Sequence, residues 1–172
     1  AASLPDKPNH VVMGYADRLR PYTQWYKQLW AESLGKNGAG ATPITAVGAV
    51  DQHSQLQLYL DGPRDKIFTL ILPDAVAPHV PLATTTIPGM EYLGGHQMHD
   101  VMMATAEATQ QTMVARGLPV RVLRGPIGAE SMTELMVRTM LETLLVAVML
   151  EVNPYDQPAV EEGKKRTRKT LG

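Results

Sequence analysis

The segment Lys66-Ile67-Phe68-Thr69-Leu70-Ile71-Leu72 consists mainly of β-branched and aliphatic residues, and Pro73 follows it directly. Because the turn residues Asp61-Gly62-Pro63-Arg64-Asp65 precede this run, it predicts a β-strand. Further strands are predicted at residues 10–15, 44–47 and 120–123, and helices at residues 17–34, 51–60, 95–116 and 129–149. Strands that alternate with helices are typical of a parallel sheet with helices on both faces, so the sequence predicts an α/β fold.

Local signals set several boundaries of these elements. Aromatic and aliphatic residues recur at helical spacing from about residue 17 to residue 34, and Gly35 then ends the helix. Asp51 is the predicted N-cap of the helix at 51–60. Residues 1–9 are interpreted as a leading segment, and residues 74–90 as a long connection that contains proline and threonine.

Length and composition favour one globular domain. The chain has 172 residues, of which 44% are apolar and 19% are charged, enough to build a core. Its net charge of -1 gives no basic excess, so neither nucleic acid nor a membrane surface is an expected partner. The basic residues near the C-terminus are interpreted as a solvated tail. The longest apolar run, Leu144 to Leu150, is too short to span a bilayer, and we expect a soluble protein.

The chain contains no cysteine, which excludes disulfide bonds, a thiolate nucleophile and cysteine-ligated zinc. A reducing, cytoplasmic location is compatible with this and is the expected one. The segment His96-Gln97-Met98-His99-Asp100 places two histidines three residues apart, but it lacks the His-Glu-x-x-His spacing and a third ligand. We expect solvent-facing histidines there, with no metal and no cofactor.

Three segments carry the candidate functional residues. The first predicted helix ends with Gln28-Leu29-Trp30-Ala31-Glu32-Ser33-Leu34-Gly35-Lys36, and the next begins with Asp51-Gln52-His53-Ser54-Gln55. Near the C-terminus lies Asn153-Pro154-Tyr155-Asp156-Gln157-Pro158-Ala159-Val160-Glu161-Glu162-Gly163-Lys164, in which we expect a buried Asp156-Gln157 turn and a lysine at a helix start. Gln28 and Glu32 are four residues apart, so their side chains are neighbours on one helix face.

Together these segments resemble the C-terminal half of the phosphoglucose isomerase family, and the resemblance extends from about residue 11 to residue 164. It implies a sugar isomerase (SIS) domain, which is a three-layer αβα sandwich around a mostly parallel, flavodoxin-like sheet. The SIS domain is expected at residues 1–152. Residues 153–172 are then an active-site segment and a C-terminal helix that packs on this domain.

The resemblance also implies the activity and the residues that perform it. The family interconverts glucose 6-phosphate and fructose 6-phosphate, in glycolysis and gluconeogenesis, through ring opening and an enediol. Glu32 corresponds to the base and His53 to the ring-opening histidine, which the family delivers from the neighbouring subunit of a homodimer. Lys164 corresponds to a lysine beside the ring oxygen, and Gln28 and Gln157 correspond to substrate-binding glutamines. Without the resemblance, each would be interpreted as a surface or capping residue.

The chemistry sets a requirement on the base. A carboxylate that moves a proton between adjacent carbons works best when it is screened from water. Two nearby tryptophans, Trp25 and Trp30, are expected to keep Glu32 from being fully hydrated.

One departure from the family is Ala159 after Pro158, where the family usually has a glycine, so the backbone is expected to differ locally.

No Ser-, Thr- and Gly-rich loop that could cradle a phosphate stands out in the chain. In the family, that cradle and an arginine that stabilises the enediolate belong to an earlier, N-terminal SIS domain, which is therefore an expected partner. We expect the chain to be part of a longer enzyme and to be inactive alone. Two alternatives remain open from the sequence: a non-catalytic sugar-phosphate-binding module, and the isomerase part of a transaldolase–isomerase fusion.

Overall fold

Four parallel strands form one sheet in the computed structural model, which describes residues 7–74, 81–83 and 87–172. The strands are β1 (Asn9–Gly14), β2 (Thr42–Val47), β3 (Lys66–Pro73) and β4 (Val120–Gly125), in the spatial order β2-β1-β3-β4. Val12 of β1 lies opposite Thr45 of β2 and Thr69 of β3. The predicted strands are thus confirmed. Residues 1–6 of the leading segment, and residues 75–80 and 84–86 of the long connection, lie outside the described residues.

Helices follow each strand along the chain. They are α1 (Arg20–Leu34), α2 (Val50–Asp61), α3 (Met98–Ala115), α4 (Ala129–Met149) and α5 (Pro158–Leu171), with short 3-10 turns at Asp17–Leu19 and Glu91–Leu93. The helices α1, α2 and α3 each connect one strand to the next strand in sequence. Because these strands are parallel, each connecting helix runs back from the carboxyl ends of the strands to their amino ends.

Successive residues of the central strand point to opposite faces of the sheet, and each face has its own core. On one face Val11 packs in a cluster with residues of α2 and α3, which include Tyr59, Ala106 and Met113. On the other face Val12 packs in a cluster with residues of α1 and α4, which include Tyr26, Trp30 and Ala147. The predicted three-layer αβα sandwich is therefore confirmed.

The central position of β3 in the sheet explains why its sequence is so apolar. All eight of its residues are buried, because helices cover both faces of the sheet and strands flank β3 on both sides. Even Lys66 is buried, and its ammonium pairs with the carboxylate of the preceding Asp65.

The prediction that Asp51 caps α2 is wrong. The helix begins at Val50, its N-cap is Ala49, and Asp51 therefore lies inside the first turn. Its carboxylate instead accepts hydrogen bonds from the Val47 amide, at 2.6 Å, and from the Ser54 hydroxyl, at 2.8 Å. Burial alone raises the pKa of Asp51, but these hydrogen bonds outweigh it and lower the pKa below its usual value. Asp51 thus ties the end of β2 to the start of α2.

The C-terminal helix α5 differs from the other helices because none of its residues is buried. It begins at Pro158, which suits the first helical turn because a proline there gives up an amide that has no helical partner. None of the described helices combines the length and the apolar character needed to cross a membrane.

Candidate active site

The helix α1 presents two different faces. Tyr26 and Trp30 are buried and stacked with their ring centroids 5.4 Å apart, and the Tyr26 hydroxyl lies 2.6 Å from Nδ1 of the buried His10. Gln28 and Glu32 each lie two positions after one of these aromatic residues, a rotation of about 200° around the helix. Their side chains are therefore exposed on the opposite face.

The prediction that the tryptophans screen Glu32 from water is wrong. Trp30 is only 4% exposed because it faces the core, and Trp25 lies beside Tyr22 with ring centroids 5.8 Å apart. Glu32 itself is exposed. Any screening of its carboxylate must come from groups that bind over this face.

Both carboxylate oxygens of Glu32 accept hydrogen bonds from glutamine amides. Gln28 donates to Oε1 over 3.1 Å, and Gln157 donates to Oε2 over 2.9 Å. The Gln28 contact follows from helical spacing, whereas the Gln157 contact joins residues 125 positions apart in the chain. Three of the five predicted site residues thus meet at the end of α1.

After α4, a series of local contacts leads the chain from Val152 to Gln157. Val152 is buried in the core cluster of α1 and α4, and it is the last buried residue of the chain. The Asn153 side-chain oxygen then accepts a hydrogen bond from the Tyr155 amide at 3.1 Å, which forms a local turn. Asp156 and Gln157 are exposed, so the prediction that they form a buried turn is wrong.

A cavity of ≈ 430 Å³ opens beside this cluster. Its lining residues are Ala31, Glu32, Gly35, Lys36, Asn37, Gln157, Pro158, Ala159 and Val160. The volume is in the range that takes small organic ligands. Because a carboxylate has about four lone-pair positions, Glu32 retains acceptor capacity for a ligand in addition to its two glutamine bonds. The arrangement can therefore orient a polar ligand and exchange protons with it.

Lys164 lies farther along α5, in its second turn and not at its start as predicted. It is exposed, and its ammonium pairs with Glu161 over 2.6 Å. Lys164 lines a shallow depression together with Val160, and Val160 also lines the cavity at Glu32. Lys164 therefore lies on the same face of α5 as Val160, one turn farther from the cavity.

His53 lies at the other edge of the sheet. It follows the carboxyl end of β2 and is exposed in the first half of α2, whereas Glu32 lies near the end of α1, just before the amino end of β2. A strand of six residues separates the two edges by about 20 Å. The fold of one chain therefore does not bring His53 to Glu32.

A second cavity of ≈ 440 Å³ lies away from the Glu32 cluster, and most of its lining is apolar. His10 lines it and forms part of the core there, with Nε2 of the ring 2.9 Å from the Thr69 hydroxyl. Burial, with the Arg121 guanidinium nearby, lowers the pKa of His10 from 6.5 to about 4. A neutral histidine that bonds Tyr26 and Thr69 is part of the structure that anchors α1.

The histidines of the segment 96–100 form no metal site. Within the ranges that the structure describes, no group of three or more histidine, aspartate and glutamate side chains is placed to hold an ion. His96 is exposed and His99 is half-buried.

Lys36 is the residue at this site to which the sequence reasoning assigned no role. Its side chain is only 9% exposed and pairs with Asp156 over 3.2 Å. A lysine directly after the glycine that ends a helix is the signal that points to such a contact, since cations bind the carbonyl groups at helix ends.

The fold and this cluster define a class of protein. It is an α/β protein whose parallel three-layer sandwich carries a carboxylate and two amides beside a cavity at the end of its first helix. Comparisons with known proteins narrow this class to one family. The chain is 41% identical over 168 residues to a glucose-6-phosphate isomerase of Rubrobacter xylanophilus, and 42% identical over 164 residues to a probable glucose-6-phosphate isomerase of Natronomonas pharaonis. Over the part of these relatives that it matches, the chain is a homologue of glucose-6-phosphate isomerases.

These matches cover 94% and 95% of the chain but 38% of each relative, so the chain spans about two fifths of the length of the curated relatives it matches. No protein-family model matches the chain. Among solved structures, a hypothetical protein of Thermus thermophilus is 37% identical, with a TM-score of 0.88 over 96% of this chain and 41% of that one. A glucose-6-phosphate isomerase of Chlamydia trachomatis is 17% identical, with a TM-score of 0.78 over 96% of this chain and 35% of that one, and it supports the fold alone.

Proposed function

We propose that the complete protein containing this chain interconverts glucose 6-phosphate and fructose 6-phosphate by ring opening and enediol proton transfer, as a cytoplasmic enzyme of glycolysis and gluconeogenesis. The observation that carries the proposal is the Glu32 carboxylate, which lies beside a cavity and accepts hydrogen bonds from Gln28 and Gln157. Relatives 38–42% identical over about 95% of the chain carry the name of this enzyme, which supports the same activity here.

Glu32 is the proposed base. It takes a proton from one carbon of the open-chain sugar and returns it to the next, so that aldose and ketose interconvert without a cofactor. Gln28 and Gln157 hold the carboxylate from both sides and contact the substrate. Because Glu32 is exposed in this chain, the substrate and the protein groups that cover it must exclude water before the proton moves.

Ring opening needs a second group that moves a proton between the ring oxygen and the adjacent hydroxyl. His53 is the proposed residue, since a histidine titrates in the required range. It lies at the opposite edge of the sheet from Glu32, so we propose that a second copy of the protein supplies it in a homodimer. Lys164 is proposed to act beside the ring oxygen. It lies on the same face of α5 as Val160, which lines the cavity.

The rest of the site belongs to other parts of the protein. An N-terminal SIS domain is proposed to bind the phosphate and to stabilise the enediolate with an arginine, and the limited coverage of the relatives leaves room for such a domain. Residues 1–152 then form the second SIS domain and residues 153–172 the active-site segment and its helix. The 172-residue chain alone is expected to be inactive.

A coupled assay of the complete protein and of the 172-residue chain, with glucose 6-phosphate as substrate, tests this function. We expect turnover by the complete protein and none by the chain. Binding of glucose 6-phosphate without turnover by the complete protein would contradict the proposal and favour a non-catalytic binding module. Turnover by the chain alone at the rate of the complete protein would contradict the division of the site.

A further inference from the structure

The Asp156-Gln157 end of the segment at residues 153–157, here named the linker segment, is held by Lys36, whose side chain is 9% exposed. We infer that Lys36 is a positioning residue that fixes the linker segment on the end of α1, so that Gln157 stays in contact with Glu32. The effect of Lys36 on catalysis rests on the proposed function. Its effect on the linker segment does not.

The Lys36 ammonium contacts three acceptors. Its Nζ donates to the Ser33 carbonyl over 3.2 Å and to the Asn153 carbonyl, and it lies 3.2 Å from Oδ1 of Asp156. Two of its three N–H donors are thus used in hydrogen bonds to carbonyl groups, and its charge pairs with the Asp156 carboxylate. Lys36 also lines the cavity beside Glu32.

Two adjacent connections join α1 to the linker segment. Lys36 pairs with Asp156, and Glu32, four residues earlier, accepts the hydrogen bond of the next residue, Gln157. The Lys36 contact with the Asn153 carbonyl fixes the other end of the same segment. Lys36 therefore contacts the linker segment at two residues, Asn153 and Asp156, on either side of its turn. Together these contacts fix the position of the Gln157 side-chain amide.

Apolar packing contributes little to holding this segment. Val152 is the last buried residue, and every residue from 153 to 172 is exposed or half-buried. Polar contacts must therefore keep the linker segment in place, and those of Lys36 are charge-assisted and come from a side chain that is only 9% exposed.

Hydrogen exchange in the complete protein tests the positioning role without reference to activity. In Lys36→Met the Tyr155 amide, which donates to the Asn153 side chain, is expected to exchange about 10- to 100-fold faster, because a charge-assisted tether is lost, while the amides of α2 and α3 keep their rates. The control Lys27→Met removes an exposed lysine from α1 and is expected to leave exchange unchanged. Unchanged exchange of the Tyr155 amide in Lys36→Met would overturn the inference.

Kinetics of combined variants test the consequence for the reaction. Lys36→Met is expected to lower kcat/KM about 10- to 100-fold through misplacement of Gln157. Gln157→Ala should then cost about tenfold in the wild-type background but little more in Lys36→Met, because the contact is already lost. Additive losses would show that Lys36 acts on stability alone and would overturn the positioning role. Faster exchange in a complete protein that lacks isomerase activity would reject the proposed function and retain the tether.

Discussion

The two edges of the sheet hold their candidate residues in different ways. At the amino edge Glu32 is bonded by Gln28 and Gln157, and the second of these bonds joins parts of the chain 125 residues apart. At the carboxyl edge the start of α2 is fixed by local bonds, those of Asp51 with Val47 and Ser54, whereas His53 points to solvent. At the amino edge, residues from distant parts of the chain form a cluster. The carboxyl edge presents one exposed side chain, His53, on a helix whose start is fixed by local bonds.

This difference indicates how a complete site would be built. A base has to be oriented within its own chain, and the glutamine contacts do this for Glu32. A histidine that serves a site on another copy has to be exposed on its own chain, and its backbone has to be rigid enough to dock in one orientation. Glu32 has its two glutamine contacts, and His53 is exposed on a helix whose start is bonded to β2 through Asp51.

Replacing Glu32 is the change expected to have the largest effect. Glu32→Gln keeps the shape of the side chain but removes the proposed base, so kcat should fall about 10³-fold in the complete protein. The free energy of unfolding should change by less than about 0.5 kcal/mol, because the side chain is exposed. A coupled assay and urea unfolding measure the two quantities. Glu130→Gln, at an exposed glutamate of α4, is the control, and retained activity in Glu32→Gln would exclude Glu32 as the base.

The anchoring of α1 should depend on pH through His10. Its pKa is about 4 in the folded protein and 6.5 when the chain is unfolded, so between these values only the unfolded chain binds the proton. The free energy of unfolding should therefore fall by about 3 kcal/mol from pH 7 to pH 4 on account of His10, with little further His10 contribution below pH 4.

Urea unfolding at a series of pH values measures this dependence. In His10→Gln the side chain no longer titrates, so the fall between pH 7 and pH 4 should be smaller by about the same amount, whatever the stability of the variant at pH 7. An equal fall in both proteins would mean that His10 is not the buried neutral group that anchors α1.

Replacing His53 should affect the reaction and leave the fold unchanged. His53→Gln is expected to lower kcat with glucose 6-phosphate about 10²-fold, because ring opening would lose its proposed proton carrier. Its thermal unfolding should match the wild type, since His53 is exposed on α2. His96→Gln, at another exposed histidine, serves as the control. A His53 variant with wild-type kcat would leave the carboxyl edge without a role in the reaction.

Much of the fold could be predicted from the sequence because its elements carry strong local patterns. The apolar run of β3 and the long helix α4 appear where those patterns place them. The Gln28–Glu32 contact also follows from helical spacing. Asp51 shows where such reasoning fails, since a shift of one residue in the start of α2 turns a predicted cap into a bond to β2.

The candidate site was less predictable because it depends on contacts between distant parts of the chain. No pattern indicates that Gln157 reaches Glu32, and only the family resemblance paired them. The burial of Lys36 depends on the linker segment that folds over it, which local sequence does not reveal. The exposure of Glu32 could have been predicted, since Trp30, two positions earlier, occupies the opposite face of α1.

The central claim is that Glu32 of one copy and His53 of another serve one substrate site. It is tested most directly by co-expressing Glu32→Gln and His53→Gln copies of the complete protein and measuring isomerase activity. If sites are shared in a dimer, half of the randomly paired dimers contain one intact site of two, and activity should reach about a quarter of the wild type. Activity that stays at the level of the two parent variants would contradict the account, because every site would then draw both residues from a single copy.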